Sequence, residues 1–398
     1  MIANAERGVA KSPRIQTGLL ALQVRMLPGV RAIPRDVWTA LFREEAESWD
    51  YYVACETSPP PAFSLGAIAV TSQDRIVAAA PTFRVTYRLD TSLQGSWRPL
   101  GEWLQSQMPR LVNLPLVGLG SPLADRCHLG FATDLSALQR TEAMRAMLDG
   151  LDAYAASENV SILAIKDLTN QTLTYADTAL KTERFTCVPS LPVAVLDLSF
   201  ESEEEYLASL SPATRKDIRR KLKRAAQVRA ERRRSIVGIE GEIVALYDET
   251  RRQSEFDYGD FEKLSPVYFR DVLANLGDRS VIMLYWIGQQ LVGFNLLLVG
   301  ADRVIDKFIG MRYPLAREHN LYVLSWMTNV RFCLERGIAE LQTGQTAYAS
   351  KLRLGSRLEK SWMCFKHRGR VINTFFRAFG PLIAFDRMDP DLVAHAKK

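Results

Sequence analysis

Four side chains in the second half of this 398-residue sequence could carry proton-transfer chemistry. Asp306 stands in the middle of the run Arg303-Val-Ile-Asp-Lys-Phe-Ile309, where a carboxylate could accept a proton from an attacking nucleophile. A strand period of two puts Asp306 and Phe308 on the face opposite Ile305 and Lys307. His319, one of four histidines, follows Glu318 where a long helix is expected to begin, and an imidazole shuttles protons near neutral pH. Tyr348 and Lys351 lie three apart, neighbours on one face of a helix starting near Thr346. The phenol could protonate a leaving atom while the ammonium holds a phosphate or an oxyanion. Each residue also has a plainer reading. Asp306 would be a half-exposed carboxylate paired with Lys307 of a neighbouring strand or with Arg303, His319 a solvated group at a helix start, and Tyr348-x-x-Lys351 a buried aromatic beside a snorkelling base. Convergence of Asp306, His319 and Tyr348 on one cleft would separate catalysis from binding alone.

The elements that must position these groups are legible as hydrophobic periodicity. Val281 to Ile287, Leu291 to Val299 and Arg303 to Gly310 are three strand-like runs split by Gly288-Gln289-Gln290 and Gly300-Ala301-Asp302, an antiparallel meander. The stripe Val323, Trp326, Met327, Val330, Cys333 and Leu334 predicts a helix stopped at Gly337, followed by a strand over Ile338 to Thr343. In the first half, a short helix near Pro34 to Glu47 precedes a hairpin of Gly66 to Val70 and Ile76 to Phe83 about Ser72-Gln73-Asp74. A helix over Ala137 to Ser157 then feeds a strand at Val160 to Ile165. The helix-then-strand order recurs at 137–165 and 320–343, each time after a hairpin, which suggests duplication. Between the halves come a strand at Val193 to Leu198 and the capping-box spacing of Ser202 and Glu205. A helix then opens on Ser211-Pro212 and continues through a basic segment.

That segment, Arg215 to Arg234, holds eleven basic residues against Asp217 and Glu231, so its +9 exceeds the whole chain's +6 and the remainder is −3. One stretch therefore draws anionic partners. Its cations at 216, 219, 220, 223 and 224 form one helical stripe without aromatics, suited to tracking phosphates of a tRNA, to anionic lipid, or simply to solvent. The five cysteines are scattered and never in CxxC spacing, which suggests neither a disulfide framework nor a metal site and fits a cytoplasmic chain. Cys127-His128 is a contiguous pair whose side chains would diverge in a strand. No apolar run is long enough to span a membrane. Phe375, Phe376, Phe379, Leu382, Ile383 and Phe385, with Arg377 and Arg387, read as a terminal helix docked on the core, with interfacial membrane contact as the alternative. Signatures such as GxSxG, HExxH and the P-loop are absent.

The run Ser209-Leu-Ser-Pro-Ala-Thr-Arg-Lys-Asp-Ile-Arg-Arg-Lys-Leu-Lys-Arg224, a meander, a helix ending in Glu335-Arg-Gly-Ile338, and Gly344-Gln-Thr-Ala-Tyr-Ala-Ser-Lys-Leu-Arg-Leu-Gly355 occur in that order. Together they resemble the GNAT acetyltransferase domain of FemAB-like and of peptidoglycan- or exopolysaccharide-associated acyltransferases. The resemblance implies an α/β (α+β) fold of tandem GNAT-like domains, each a mixed, mostly antiparallel sheet flanked by helices. It divides the chain into an extension (1–30), a first domain (31–199), a basic helical connector (200–235) and an acyltransferase domain (236–398). It implies N-acyl transfer from an acyl thioester to an amine, a small molecule or cell-envelope precursor, with Asp306, His319 and Tyr348 catalytic. Acyl-CoA is then a co-substrate with no tightly bound cofactor, held where two strands splay by Arg312, Arg317, Asn320, Gln345 and Lys351. The loop Gly310 to Asn320 has a single glycine where the family's glycine-rich signature would stand. That departure leaves two alternatives: an aminoacyl-tRNA-dependent Fem-type transferase, and a degenerate fold used for binding.

Overall fold

The computed structural model describes residues 15–17, 20–43, 45–88, 113–253, 263–380 and 389–396. β1 (Ile15–Thr17) and β2 (Leu20–Leu27) precede α1 (Arg35–Leu41) and α2 (Trp49–Thr57). β3 (Phe63–Ser72) and β4 (Arg75–Arg88) form the expected hairpin. Gln73 and Asp74 turn it with φ of 48° and 62°, the left-handed pair that a two-residue turn requires. β5 (Asn113–Leu119) and the short β6 (Gly130–Phe131) come next. α3 (Ala137–Ser157) starts on a capping box in which the Ser136 hydroxyl accepts from the Gln139 N–H and the Gln139 side chain accepts from Ser136 N–H. It feeds β7 (Ile162–Thr169), α4 (Asn170–Thr182) and β8 (Thr186–Pro189).

β9 (Val193–Asp197) leads to α5 (Glu203–Ser209) and α6 (Pro212–Arg224). Ser202 caps α5 through the Glu205 N–H, but the Glu205 carboxylate accepts from Glu201 N–H, so the capping box is half formed. α6 opens on Ser211 with Pro212 in its first turn, as expected. It does not run through the whole basic segment, however: it ends at Arg224, and Arg229–Arg233 is β10, which pairs with β11 (Ser280–Ile287). α7 (Glu240–Arg252) and α8 (Pro266–Leu276) precede the meander of β11, β12 (Gln290–Val299) and β13 (Arg303–Met311). The short α9 (Leu315–Glu318) and α10 (Leu321–Leu334) lead through Gly337, φ 63°, into β14 (Glu340–Gly344). Then come α11 (Tyr348–Arg353), β15 (Arg357–Glu359), β16 (Ser361–His367), α12 (Arg370–Phe379) and α13 (Pro390–Ala396).

Two mixed sheets result, and they repeat one plan. The first runs β1-β2-β3-β4-β5-β7-β16-β8, with β6 against β4; the second runs β10-β11-β12-β13-β14-β9-β15. Each has an antiparallel series, one parallel pair (β5–β7 and β13–β14), and then two antiparallel strands. In each, the strand after the parallel pair is on loan from the other half. β16 enters the first sheet between β7 and β8, and β9 enters the second between β14 and β15. A division at residue 199 is therefore corrected by the pairing, and β2 makes residues 20–27 part of the first sheet rather than an extension.

The exchange also corrects the reading of the cysteines. Cys187 on β8 and Cys364 on β16 are register partners and form a disulfide across 177 residues. No sequence spacing reveals a pair that exists only because β16 crosses to the first sheet, so cysteine usage no longer argues for a reducing compartment. Among the described residues no helix is long and apolar enough to cross a membrane.

Three apolar layers hold the assembly. α3 and α4 cover one face of the first sheet through Met144, Met147, Leu148 and Leu151. α5, α6 and α10 cover one face of the second through Tyr206, Ile218, Trp326 and Val330. Between the sheets, α1 and α2 meet α7 and α8 in a shared core of Trp38, Tyr51 and Tyr52 with Tyr247, Tyr268, Phe269 and Phe294. The Tyr51 and Tyr268 hydroxyls sit 3.0 Å apart across it. One ion pair is sealed into this layer, Lys307 Nζ to Glu47 Oε1 at 2.6 Å, with side chains 3% and 2% exposed. Removing one partner of a buried pair strands the other charge without water. Lys307→Met should therefore cost about 3–5 kcal/mol of unfolding free energy, and adding Glu47→Leu should recover part of the loss, both measured by urea titration.

Candidate active site

β13 and β14 are paired only from Arg303/Glu340 to Ile305/Gln342. Asp306 is the next residue on β13, so its carboxylate lies where the two strands part. A β-bulge follows it: Leu297 faces Asp306 and Leu296 faces Phe308, leaving Lys307 as the extra residue. Simple alternation therefore fails. Phe308 joins Ile305 on the inter-sheet side, while Asp306 turns with Leu297 toward α10. The Asn295 amide donates to both Asp306 oxygens at 2.9 and 3.0 Å, and Asn329 of α10 donates to Oδ2 at 2.9 Å. Neither Lys307 nor Arg303 pairs with Asp306, since Lys307 takes Glu47 and Arg303 takes Glu340. Burial raises the Asp306 carboxyl to about 6, against the opposing effect of the two amides and Lys351.

Alternating charges lead from the inter-sheet core to this carboxylate. Lys307, held by Glu47, lies in the field of Asp125, a residue of the segment that follows β5. Burial alone would raise the Asp125 carboxyl, but Lys307, Lys166, Gln342 and Lys351 together hold it below its ordinary value. Gln342 Nε2 of β14 donates to Asp125 Oδ2 at 3.1 Å. Lys351 is 6% exposed and donates to the carbonyls of Gly344 and Gln345 at 3.2 and 2.8 Å. Burial lowers its ammonium to about 8, with Asp125 and Asp306 resisting. The parting strands thus hold a carboxylate able to lose its proton near neutrality beside a cation able to lose its own.

Of the three residues expected to converge, none hydrogen-bonds another. The Tyr348 hydroxyl is buried and donates to Pro192 O at 2.8 Å, tying α11 to the start of β9. His319 is the C-cap of α9 rather than the first residue of the long helix, and its Nδ1 meets Gln227 Nε2 at 2.8 Å. Gln345 donates to Leu191 O at 2.9 Å. Sequence reasoning passed over Asp125, Gln342, Asn295 and Asn329. Asn295 could have drawn notice as an amide inside the apolar run Leu291 to Val299, whereas Asp125 arrives from the other half and left no local signal.

Cys127 is buried, and desolvation pushes its thiol well up, which removes it as a nucleophile. His128 Nδ1 instead bonds the Tyr52 hydroxyl at 2.6 Å, and Nε2 lies 3.5 Å from Glu45 and 3.6 Å from Glu47.

The loop between β13 and α10 was expected to hold the donor. Gly310 is required by packing, because a Cβ there would strike the Phe294 ring and approach the Tyr247 N at 2.9 Å. Arg312 reaches Leu291 O at 3.4 Å; Arg317 bonds Gln253 at 3.0 Å and covers the Tyr313 ring. Asn320 is left-handed, with φ 51°, and starts α10 without a side-chain cap. Its Nδ2 is buried with no hydrogen-bond partner, and an anionic oxygen at the N-terminus of α10 would satisfy it.

Comparison with known proteins bears on the fold that carries this site. Residues 212–351 match the family model described as acetyltransferase (GNAT) domain. A tandem GNAT protein from the clavulanic acid biosynthesis pathway superposes at TM-score 0.51 and 14% identity, over 87% of this chain and 99% of that one. The C-terminal domain of a putative lysylphosphatidylglycerol synthetase from Agrobacterium fabrum gives 0.50 and 10%, over 86% and 95%. FemX gives 0.49 and 13%, over 79% and 90%. No curated protein matches the sequence. The fold is a tandem GNAT arrangement. Residues 212–351, within the second half, thus carry a GNAT domain.

Gly310→Ala should lower stability by about 1–3 kcal/mol through overpacking against Phe294. Thermal unfolding measured without any donor checks this, since a ligand-binding role alone would leave the free protein unaffected.

Proposed function

We propose that the chain transfers an acyl group from an acyl thioester, acyl-CoA or an acyl carrier, directly to an amine. The observation that carries the reading is the Asp306 carboxylate at the parting of β13 and β14, raised by burial to about 6 and in the field of Lys351. Asp306 takes the proton from the attacking amine nitrogen as the new C–N bond forms. Asn295 and Asn329 keep the carboxylate oriented toward the gap. Lys351 stabilises the negative charge that develops on the carbonyl oxygen or on the departing sulfur. No enzyme-bound acyl intermediate is needed. Asn320 Nδ2 and the first turn of α10 would receive the donor's phosphate oxygens, with Arg312 and Arg317 within the same loop. Tyr348 acts by anchoring α11, and so Lys351, to β9.

A second reading rests on α6. Asp217 is shared by Arg220, Lys221 and Arg353, but Lys216, Arg219, Lys223 and Arg224 have no ion pair among the described residues. That face suits a polyanion, and a charged tRNA would then supply the acyl group in place of a thioester.

Asp306→Asn should cut turnover by about 10²–10⁴-fold without lowering thermal stability, because it removes a desolvated charge. Lys351→Met should slow turnover as well. For the parent enzyme, kcat/KM should fall below about pH 6 as Asp306 gains its proton and above about pH 8 as Lys351 loses its own. Asp306→Asn should abolish the acidic limb. Unchanged turnover in both variants, or stabilisation by charged tRNA and by no acyl-CoA, would refute the thioester assignment.

A further inference from the structure

The helix α12 was expected to dock its phenylalanines on the core, and the structure docks Phe376 but leaves Phe375 and Phe379 exposed. Among the described residues six large hydrophobic side chains are strongly exposed, and four of them lie on this one ten-residue helix: Val371, Ile372, Phe375 and Phe379, the last two 58% and 57% exposed. Positions 371, 372, 375 and 379 fall on one stripe at 3.6 residues per turn. The Phe375 and Phe379 rings stack at 6.2 Å, presenting a continuous aromatic ridge to solvent. The opposite side seats the helix. Phe376 packs edge-on against Phe365 and His367, and the buried Asn373 accepts from His367 N–H and donates to Arg184 O, at 2.9 and 3.0 Å. The helix is thus held firmly with its apolar stripe outward, which a core helix would not be. Leu382, Ile383, Phe385 and Arg387 of the expected cluster lie outside the described residues.

Charge around the stripe has one sign. Arg370 and Arg377 are exposed on α12, which carries no acidic residue, and exposed Arg184 sits beside it through the Asn373 bond. None of the three has an ion pair among the described residues, whereas the nearby Arg368 and Lys366 are neutralised by Asp152 and Glu183. A nucleic acid would use the arginines and leave the ridge wet. A lipid interface uses both, with rings and branched aliphatics below the headgroups and guanidiniums among the phosphates.

We propose that α12 is an interfacial anchor that lays Val371, Ile372, Phe375 and Phe379 into an anionic membrane surface. The inference is independent of the acyl donor. The test is sedimentation of the full chain with phosphatidylglycerol-containing vesicles against pure phosphatidylcholine vesicles. The parent protein should pellet with the anionic vesicles, Phe375→Glu/Phe379→Glu should weaken binding by about tenfold or more, and Arg370→Glu/Arg377→Glu should remove the preference for anionic lipid. Thermal unfolding should be unchanged in each, since the substituted side chains are exposed; if the phenylalanine pair proves unstable, Val371→Asp carries the same expectation. Failure of the parent to pellet, or equal binding by Phe375→Glu/Phe379→Glu, overturns the proposal. So does a dimer on size exclusion that the same variant dissociates while vesicles remain unbound, which would assign the stripe to a second copy.

Discussion

The bulge at Lys307 is the constraint on which the site depends. Alternation sends Lys307 into the inter-sheet core and Asp306 toward α10, and the one extra residue in β13 then keeps Phe308 on the Lys307 side. Without it, period-two alternation would carry Phe308 to the Asp306 side and disturb the aromatic contacts it makes with Tyr247, Tyr268 and Phe269. The bulge falls just beyond the last β13–β14 pair, so the strand changes direction where the sheet opens. A buried cation at such a point must be compensated, and Glu47 from the first half and the field of Asp125 do so.

The two halves are therefore not independent lobes. Each lends the other a strand beside its parallel pair, and the sheets share a core of aromatic side chains. The corresponding gap in the first sheet is filled by its own chain. Beyond Leu119 and Ile165, the segment after β5 folds back so that Cys127 N–H bonds Asp167 O at 2.8 Å and Lys166 bonds Ala124 O at 2.8 Å. That same segment delivers Asp125 to the second sheet. One half thus has an open gap with a carboxylate in it and the other a plug that supplies a supporting charge.

Burial at the parting strands works in opposite senses on the two titrating groups. Desolvation raises an acid and lowers a base, so Asp306 and Lys351 are both drawn toward neutrality. Hydrogen bonds from Asn295 and Asn329 oppose the shift at Asp306 without cancelling it. The amides then orient the carboxylate while leaving it able to exchange a proton near neutral pH, a combination that a direct salt bridge to Lys307 or Arg303 would have prevented.

Elements set by local periodicity and caps were legible in the sequence: the 72–75 hairpin, α3, the β11–β13 meander, α10 with its stop at Gly337, and the start of α6 at Ser211-Pro212. So was the GNAT character of the second half, because its motifs keep their order along the chain. Asp306 stood out as a carboxylate inside an apolar strand, and Lys351 by its spacing from Tyr348. What only the tertiary structure decided is long-range. The exchange of β9 and β16, the Cys187–Cys364 bond, the arrival of Asp125 beside Gln342, and the outward face of α12 all depend on segments brought together from distant parts of the chain. A bulge is likewise set by the partner strand rather than by the residues that contain it. Local sequence fixes what a segment can form; which side of it meets protein, and which charge it meets, is fixed by the rest of the molecule.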